Sequence, residues 1–390
     1  MSKRGLVAYG MANILLLGIV SFLNEFSSAM IMPILPMFLI SLGATGIIIG
    51  VIGGLRESIS SILKIFGGIW ADRIGKRKPF VWYGYISSAV FKLFLGLSRT
   101  WPVALVFASV ERTGKGMRTA PRDAMVAESM PKRHGKGFGI HRALDKCGAI
   151  VGALFVFLLF WFIGFGFKTL ILVAALISFA SLVPLVWVKE AKKRPKKVTF
   201  RLGLKKLPSK AKLFIIIASI FALANFSYMF FVLRAQQFFK AELAIGIPIL
   251  LYVLFNIFYA SFAIPFGNLS DKIGRENVIV FGYLLFFATC IGFAFANTIP
   301  LLIILFALYG LSFAAIEGNQ RAFMSDLAPK HLEATALGTF HTSIGVIALP
   351  ASIIAGVLWN IAPMFTFIFG GAVALIAAIL FYVIHGFNSR

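Results

Sequence analysis

Acidic residues are scarce in this chain: 14 Asp and Glu stand against 38 Lys and Arg, and charged residues of both signs make up 13% of its 390 positions. A soluble domain is about a quarter charged and roughly half apolar, whereas 59% of this chain is apolar, which excludes an ordinary cytosolic enzyme. Cysteine is limited to Cys147 and Cys290, distant from each other and each inside an apolar segment. That excludes a disulfide framework and a thiolate metal site, and two buried structural thiols are expected. Histidine is rare too: His134, His141, His331, His341 and His385 form neither an H-E-x-x-H pair nor another ligand spacing, so no metal site is expected. The phosphate-cradling run G-x-x-x-x-G-K-[ST] is missing, so ATP hydrolysis within the chain is unsupported and no cofactor is implied. No small-residue cleavage site follows the first apolar stretch, which is expected to remain as a helix.

What the chain has in abundance is apolar residues in long blocks, among them 14–23, 154–163 and 372–384. Blocks repeated along a whole sequence mark bilayer helices. Charged and Gly/Pro-marked breaks divide the chain into twelve spans near 12–41, 44–70, 79–97, 102–126, 137–163, 167–188, 213–239, 244–269, 277–296, 300–325, 335–359 and 362–385. Each has about 19 to 30 residues, enough to cross a hydrocarbon core of ~30 Å with some tilt.

A formal charge of +24 would point to nucleic acid in a soluble protein, but its distribution argues against such a partner. Loops on the side of the N-terminus hold 24 Lys and Arg, and those on the other side only Arg99, Lys168 and Lys240. The positive-inside rule then places both termini in the cytoplasm, as an even number of spans in the cytoplasmic membrane requires. Segment 189–212 carries eleven of these basic residues and separates an N-terminal half, 1–188, from a C-terminal half, 213–390. It reads as a cytoplasmic linker touching the anionic headgroups of membrane lipids.

An internal repeat supports the division. Gly68, Asp72, Arg73, Gly75, Lys76 and Arg77 after the second span recur as Gly267, Asp271, Lys272, Gly274 and Arg275 after the eighth, with Asp72 and Asp271 199 positions apart. Gly139 and Gly338 keep that offset. Two six-helix halves of parallel topology follow. In physical terms, a glycine lets two helices approach closely, and an aspartate at a helix end accepts from backbone N–H groups or a neighbouring guanidinium.

The repeated loop resembles the signature G-x-L-a-D-r-x-G-r-k of the major facilitator superfamily of secondary transporters, with Trp70 in place of its leucine, and the resemblance spans nearly the whole chain. It implies an all-α integral membrane protein of twelve transmembrane helices in two pseudo-symmetric six-helix bundles, working as a monomer. In the family this loop latches one state of the transporter and lets it open and close. Gly68, Asp72, Arg73, Gly75 and Lys76, with Gly267, Asp271, Gly274 and Arg275, are thereby expected to gate and not to bind solute. In the fourth span Arg112, Gly116 and Ala120 resemble a second pattern, R-x-x-q-G-x-g-a-A, common in proton-coupled members, with Lys115 where glutamine is usual. Arg112 inherits a coupling role from it. The fifth-helix glycine motif of drug antiporters is partly present: Gly148 and Gly152 fit, whereas Ala153 replaces proline and argues against that assignment.

The remaining Lys and Arg fall within or at the edges of the spans, where an ionisable side chain costs roughly 2.5–3.5 kcal/mol and normally faces a partner or a watery cavity. Glu111, Lys115, Arg118 and Arg122 follow one another by 4, 3 and 4 positions, which lines them along one face of the fourth helix, with Arg112, Gly116, Thr119 and Asp123 beside them. On the fifth helix His141 shares a face with Asp145 and Arg142 with Lys146, and Arg142 is also three positions from Asp145, so the two charged faces are expected to meet. Arg122, Asp123 and Lys146 read as a structural ion-pair network, and Glu25, Glu57, Arg112 and Arg142 as functional. Glu25 lies in a long first helix broken by Pro33 and Pro36, where a carboxylate can take and release a proton.

Candidates for substrate or proton coupling are Glu25, Arg56, Glu57, Glu111, Arg112, Lys115, Arg118, Arg142, Asp145, Asn225, Glu317 and Arg321. Eleven embedded basic residues face six acids, Glu25, Glu57, Glu111, Asp123, Asp145 and Glu317, a balance that suits an anionic or zwitterionic solute. Snorkelling of Lys64 and Arg122 to the interface would shrink the surplus. An apolar pocket built from Phe226, Tyr228, Phe230 and Phe231 beside Asn225 would suit multidrug or metabolite efflux instead.

The expected function is secondary active transport of a small solute by alternating access, coupled to protons or another ion. A membrane-embedded enzyme is the first rival, and it lacks a metal cluster or nucleophile constellation. A non-transporting receptor or scaffold is the second, and the duplicated gating loop argues against it.

Overall fold

The computed structural model describes residues 3–130, 134–190, 207–329 and 332–388, and the regular elements among them are all helices. Most of the basic linker, with Lys330, His331 and Arg390, lies outside the described residues. Those of 3–43 and 59–190 form one compact unit and those of 44–58 and 207–388 the other. Residues 44–58, which include the first half of α3, thus group with the second unit although they precede residue 188.

The first unit contains α1 (Lys3–Ile31), α2 (Leu35–Ser41), the second half of α3 (Gly46–Ile74), α4 (Lys78–Leu97), α5 (Trp101–Ser129), α6 (His134–Ile163), α7 (Phe167–Ala180) and α8 (Leu182–Leu185). The second contains α9 (Ser209–Ala224), α10 (Met229–Gln236), α11 (Leu243–Ile273), α12 (Arg275–Phe295), α13 (Ile299–Leu327), α14 (Glu333–Ile361) and α15 (Pro363–Asn388). Eleven segments among the described residues are long and apolar enough to cross a membrane. The twelfth crossing, α5, has the 29 residues it needs but carries seven ionisable side chains.

Helix ends follow local chemistry. Extended Thr100 and Thr298 precede α5 and α13, each with proline in its first turn, where the missing N–H has no helical partner to lose. The expected spans stop short at several charged ends: α3 continues to Ile74, α5 to Ser129 and α11 to Ile273. Three expected spans are each two helices. The first breaks over residues 32–34 at Pro33, the sixth at Ser181, and the seventh between Ala224 and Met229, where Phe226 N–H donates to Ala224 O.

In lipid, apolar side chains gain little by leaving their surroundings, so association rests on close packing and interhelical hydrogen bonds. In the first unit α4 and α5 touch at Gly84 and Gly114, where a Cβ on Gly114 would stand 3.1 Å from Ser88 N. Alongside, α6 presents Gly148 and Gly152 to the backbone of Phe22 and Phe26 on α1. Towards the end of the unit that carries the α3–α4 loop, Leu17, Val20, Val81, Tyr85, Met125, Val126, Leu185 and Val188 close a buried apolar cluster.

In the second unit Gly46, Gly50 and Gly54, four residues apart, lie against α14 at Gly356, Ser352 and Leu349, and Gly46 N–H donates to Asn360 Oδ1 at 2.9 Å. Its core is aromatic. Phe226, Phe230 and Phe231 are at most 2% exposed and pack among Phe286, Phe293, Tyr309, Trp359 and Phe367. They are filler between helices, which corrects the drug-pocket alternative at these three residues. Tyr228 is half-buried and meets Tyr252, their rings 5.8 Å apart. The expectation of two buried thiols holds for Cys290, whereas Cys147 is exposed.

Candidate functional site

The interior of the first unit is organised by α1, α4 and α5. From the break near Pro33, α1 runs back through Asn24 and Glu25, and the Glu25 carboxylate meets Lys115 Nζ of α5 at 3.4 Å. Both side chains are only partly buried, at 21% and 33% exposure. One turn earlier on α5, Glu111 is 3% exposed, accepts from Ser88 Oγ of α4 at 2.7 Å and stands 3.2 Å from Arg112 Nε. Arg118 sends Nη1 to Gly84 O at 3.1 Å and lays its guanidinium over the Tyr85 ring at 4.4 Å. Lys115, at the position usually held by glutamine, ion-pairs with Glu25, and Arg112 pairs with its neighbour Glu111.

Lys92 of α4, 2% exposed, completes the site. Its ammonium donates to Ser27 Oγ and Ser28 Oγ at 3.0 Å each, to Asn24 O at 3.4 Å and to Ser178 Oγ of α7 at 3.5 Å, all neutral oxygens. Four cations, Lys92, Arg112, Lys115 and Arg118, therefore surround two carboxylates, Glu25 and Glu111.

Nearer the α3–α4 loop, α5 and α6 meet as expected, in part through Ser21 of α1. Arg122 grips Asp123 at 2.9 Å and reaches Ser21 Oγ at 3.3 Å, and Ser21 in turn donates to Asp145 Oδ1 at 2.5 Å. Arg122 is 8% exposed; it points inward to these partners and does not snorkel. Arg142 is exposed, within Coulombic range of Asp123, and His141 is buried with Nε2 unpaired.

At the end of α3, Gly75 adopts φ 72° and ends the helix, and Gly274 with φ 94° does the same for α11. A side chain with Cβ strains in that left-handed region. The turn presents Arg77, whose guanidinium reaches Asp72 Oδ1 at 3.0 Å and Glu128 near the end of α5. Burial opposes the charge on Arg77, but the hydrogen bonds it donates to Glu128 and Asp72 outweigh it and hold the guanidinium above its ordinary value. In the second unit Arg275 contacts Asp271 at 3.3 Å and Asp326 near the end of α13 at 2.5 Å. Arg73 and Lys76 are exposed. Gly68 permits close approach, a Cβ there standing 3.1 Å from Ala120 Cβ, whereas a Cβ on Gly267 would meet open space. The close-approach reading therefore applies to the first copy alone.

Sequence reasoning missed Glu128 and Asp326, the far arms of these two clusters, and did not place Arg77 among the gating candidates. A signal existed: Thr100, Pro102 and Glu128 recur as Thr298, Pro300 and Asp326 at an offset of 198, one less than that of the aspartates. Arg77 and Arg275 share it, so Arg275 has the role of Arg77 although it aligns with Lys76.

Of the second-unit candidates, Glu317 accepts from Tyr259 OH and pairs with Arg321 one turn along α13. Asn225 lies half-buried at the break between α9 and α10. Arg56, buried, and Glu57, exposed, fall in the part of α3 that groups with this unit. Arg234 caps the last carbonyls of α12, donating to Phe293 O and Ala296 O. Among the described residues no cluster of His, Cys, Asp and Glu is arranged to hold a metal ion.

A family model described as Major Facilitator Superfamily matches residues 17–249 and 236–386. An uncharacterized MFS-type transporter of Methanocaldococcus jannaschii is 53% identical over 373 residues, covering 94% of each chain. A multidrug resistance protein, MdtH, of Aeromonas hydrophila is 26% identical over 79% of this chain and 78% of its own. The crystal structure of a nucleoside transporter, NupG, superposes with a TM-score of 0.79 at 15% identity, over 95% of this chain and 98% of that one.

Proposed function

Because the chain belongs to the major facilitator superfamily of membrane transporters and is not an enzyme, we propose that it moves a small anionic or zwitterionic solute across the cytoplasmic membrane by alternating access, coupled to protons. Both termini lie in the cytoplasm and the working unit is a monomer. The observation that carries this reading is the unequal charge inside the first unit, four buried or half-buried cations around two carboxylates. A buried cation without full compensation is costly unless a partner arrives, and a solute carboxylate or phosphate makes charge-assisted hydrogen bonds to such groups.

The Glu25–Lys115 pair supplies the coupling. It is the most open pair of the cluster, so a solute anion competes with Glu25 for Lys115. Once displaced, the Glu25 carboxylate takes up a proton, and the site holds anion and proton together. The loops carrying Asp72 and Asp271 gate the change of access.

Efflux of apolar drugs is less well supported. The phenylalanines that would line such a pocket are packed core, and Ala153 departs from the drug-antiporter pattern.

The test is a screen of small anions, zwitterions and neutral solutes for thermal stabilisation of the purified protein, followed by flux of each hit into proteoliposomes with and without an inward pH gradient. An anion or zwitterion accumulated only with the gradient is expected. Accumulation indifferent to pH would remove the proton from the proposal, and stabilisation by cations alone would remove the anion.

A further inference from the structure

The start of the linker is fastened to the gating loop. Glu190, past the end of α8, accepts through Oε1 from Arg77 N–H and through Oε2 from Lys78 N–H at 3.2 Å. These are backbone donors at the start of α4, a position where a carboxylate is favoured by the unpaired N–H groups and the helix dipole. The arrangement is reciprocal, because Lys78 Nζ donates to Val188 O at 2.6 Å and Val186 O at 3.1 Å. Lys189 exchanges a pair of hydrogen bonds with Asn13 of α1, its N–H donating to Oδ1 at 2.9 Å and its carbonyl accepting from Nδ2 at 3.1 Å, and Asn13 also donates to Ser129 Oγ of α5 at 2.8 Å. Residues 186–190 thus tie together the ends of α1, α4 and α5, around the residue whose side chain joins Asp72 to Glu128.

The two copies of the loop differ here. The first turn of α4 holds no acidic residue, and its carboxylate comes from 112 residues away. The first turn of α12 has its own Glu276, folded back over Gly274. The first copy thus borrows its cap from the segment that joins the two halves of the chain.

We propose that Glu190 is a positioning residue for gating: by holding the backbone of Arg77 and Lys78, it sets the Arg77 guanidinium between Asp72 and Glu128, so that the entry of the linker controls the latch. The inference rests on the gating role proposed for the Asp72 loop. Hydrogen–deuterium exchange of the full-length protein in lipid nanodiscs, compared among wild type, Glu190→Ala, Glu190→Gln, Asp72→Asn and the Glu190→Ala/Asp72→Asn double variant, tests it without a known solute. Losing the carboxylate speeds exchange of the Arg77 and Lys78 amides roughly tenfold, with Glu190→Gln intermediate because it keeps one acceptor. The deciding readout is distant. Glu190→Ala is expected to change exchange in the turns at 97–101 and 295–299 in the same sense as Asp72→Asn, and the double variant to match the stronger single. Changes confined to 74–82 and 186–190 would make Glu190 a local cap and overturn the inference. Distant changes that add in the double variant would separate Glu190 from the latch and also overturn it. Absence of distant changes in Asp72→Asn itself would overturn the gating premise, an outcome distinguishable from the other two.

Discussion

Glu111→Gln is the sharpest perturbation of the charged interior. The carboxylate is 3% exposed and beside Arg112, itself 6% exposed, with Lys92 at 2% one helix away. Glutamine keeps the volume and an acceptor for Ser88, so what is lost is charge. Removing one partner of a buried pair typically costs 3–5 kcal/mol, because the other charge stays behind unpaired; with one hydrogen bond retained, the lower end, about 3 kcal/mol, is expected. Arg112→Gln should cost a similar amount for the same reason. The double variant should be less damaged than the sum of the singles by roughly 2 kcal/mol, since each single strands the charge that the other removes. Reversible unfolding in mixed detergent–SDS micelles, followed by circular dichroism, measures all three against wild type. A Glu111→Gln protein within about 0.5 kcal/mol of wild type, or strictly additive effects, would refute a pair that compensates buried charge.

Four further outcomes are expected. Single cysteines at Lys76 and Asn297 should react with an impermeant maleimide from opposite faces, Lys76 from the cytoplasm; labelling of both from one face breaks the topology. Gly114→Ala should destabilise by about 1–3 kcal/mol because its Cβ would stand 2.5 Å from the backbone Gly84 O and 3.1 Å from Ser88 N, whereas Gly139→Ala, with open space around it, should gain up to ~1 kcal/mol of helix propensity; the same unfolding assay ranks them. For the solute found by the stabilisation screen, Asp72→Asn should slow flux while equilibrium affinity stays within a few-fold, and a large affinity loss in a folded variant would put Asp72 in the binding site. Glu25→Gln should exchange that solute at equal pH yet fail to accumulate it under a pH gradient, and normal accumulation would move the proton to Asp145 or Glu317.

The fold was legible because apolar blocks and their punctuation survive without any knowledge of contacts. Pro33 announced the first break. The break at Asn225 had no comparable marker, since no glycine or proline lies nearby and the apolar run continues through it. Even α5 was found from its length and its neighbours, not from its hydropathy. Part of the charged site was legible too, because helical spacing puts Glu111, Lys115 and Arg118 on one face whatever they touch, whereas Lys92 on α4 was not among the candidates. Who pairs with whom was not. Periodicity ranks faces but says nothing of rotation between helices, so Lys115 on Glu25, and Lys92 on three serines, needed coordinates. Glu128 and Asp326 escaped for another reason: each stands some fifty residues from its arginine, beyond the reach of a motif read along the chain.

The charge carried by α5 has a consequence for how the protein is made. A segment leaving the ribosome partitions into the bilayer by its own transfer free energy, and an Arg, Lys or Asp near the middle of a helix adds roughly 2.5–3.5 kcal/mol against entry. Glu111, Arg112, Lys115 and Arg118 lie close together within α5, so the nascent segment is poorly disposed to leave the translocon alone. Its partners at that moment are upstream: Ser88 and the Gly84 carbonyl on α4, and Glu25 on α1, all synthesised before it. Insertion of α5 therefore amounts to assembly, with α1 and α4 retained nearby to receive it. The corresponding helix of the other unit, α13, contains an 18-residue stretch of mean hydropathy 2.4 and can enter unaided, so the two halves of the fold reach the membrane by unequal routes.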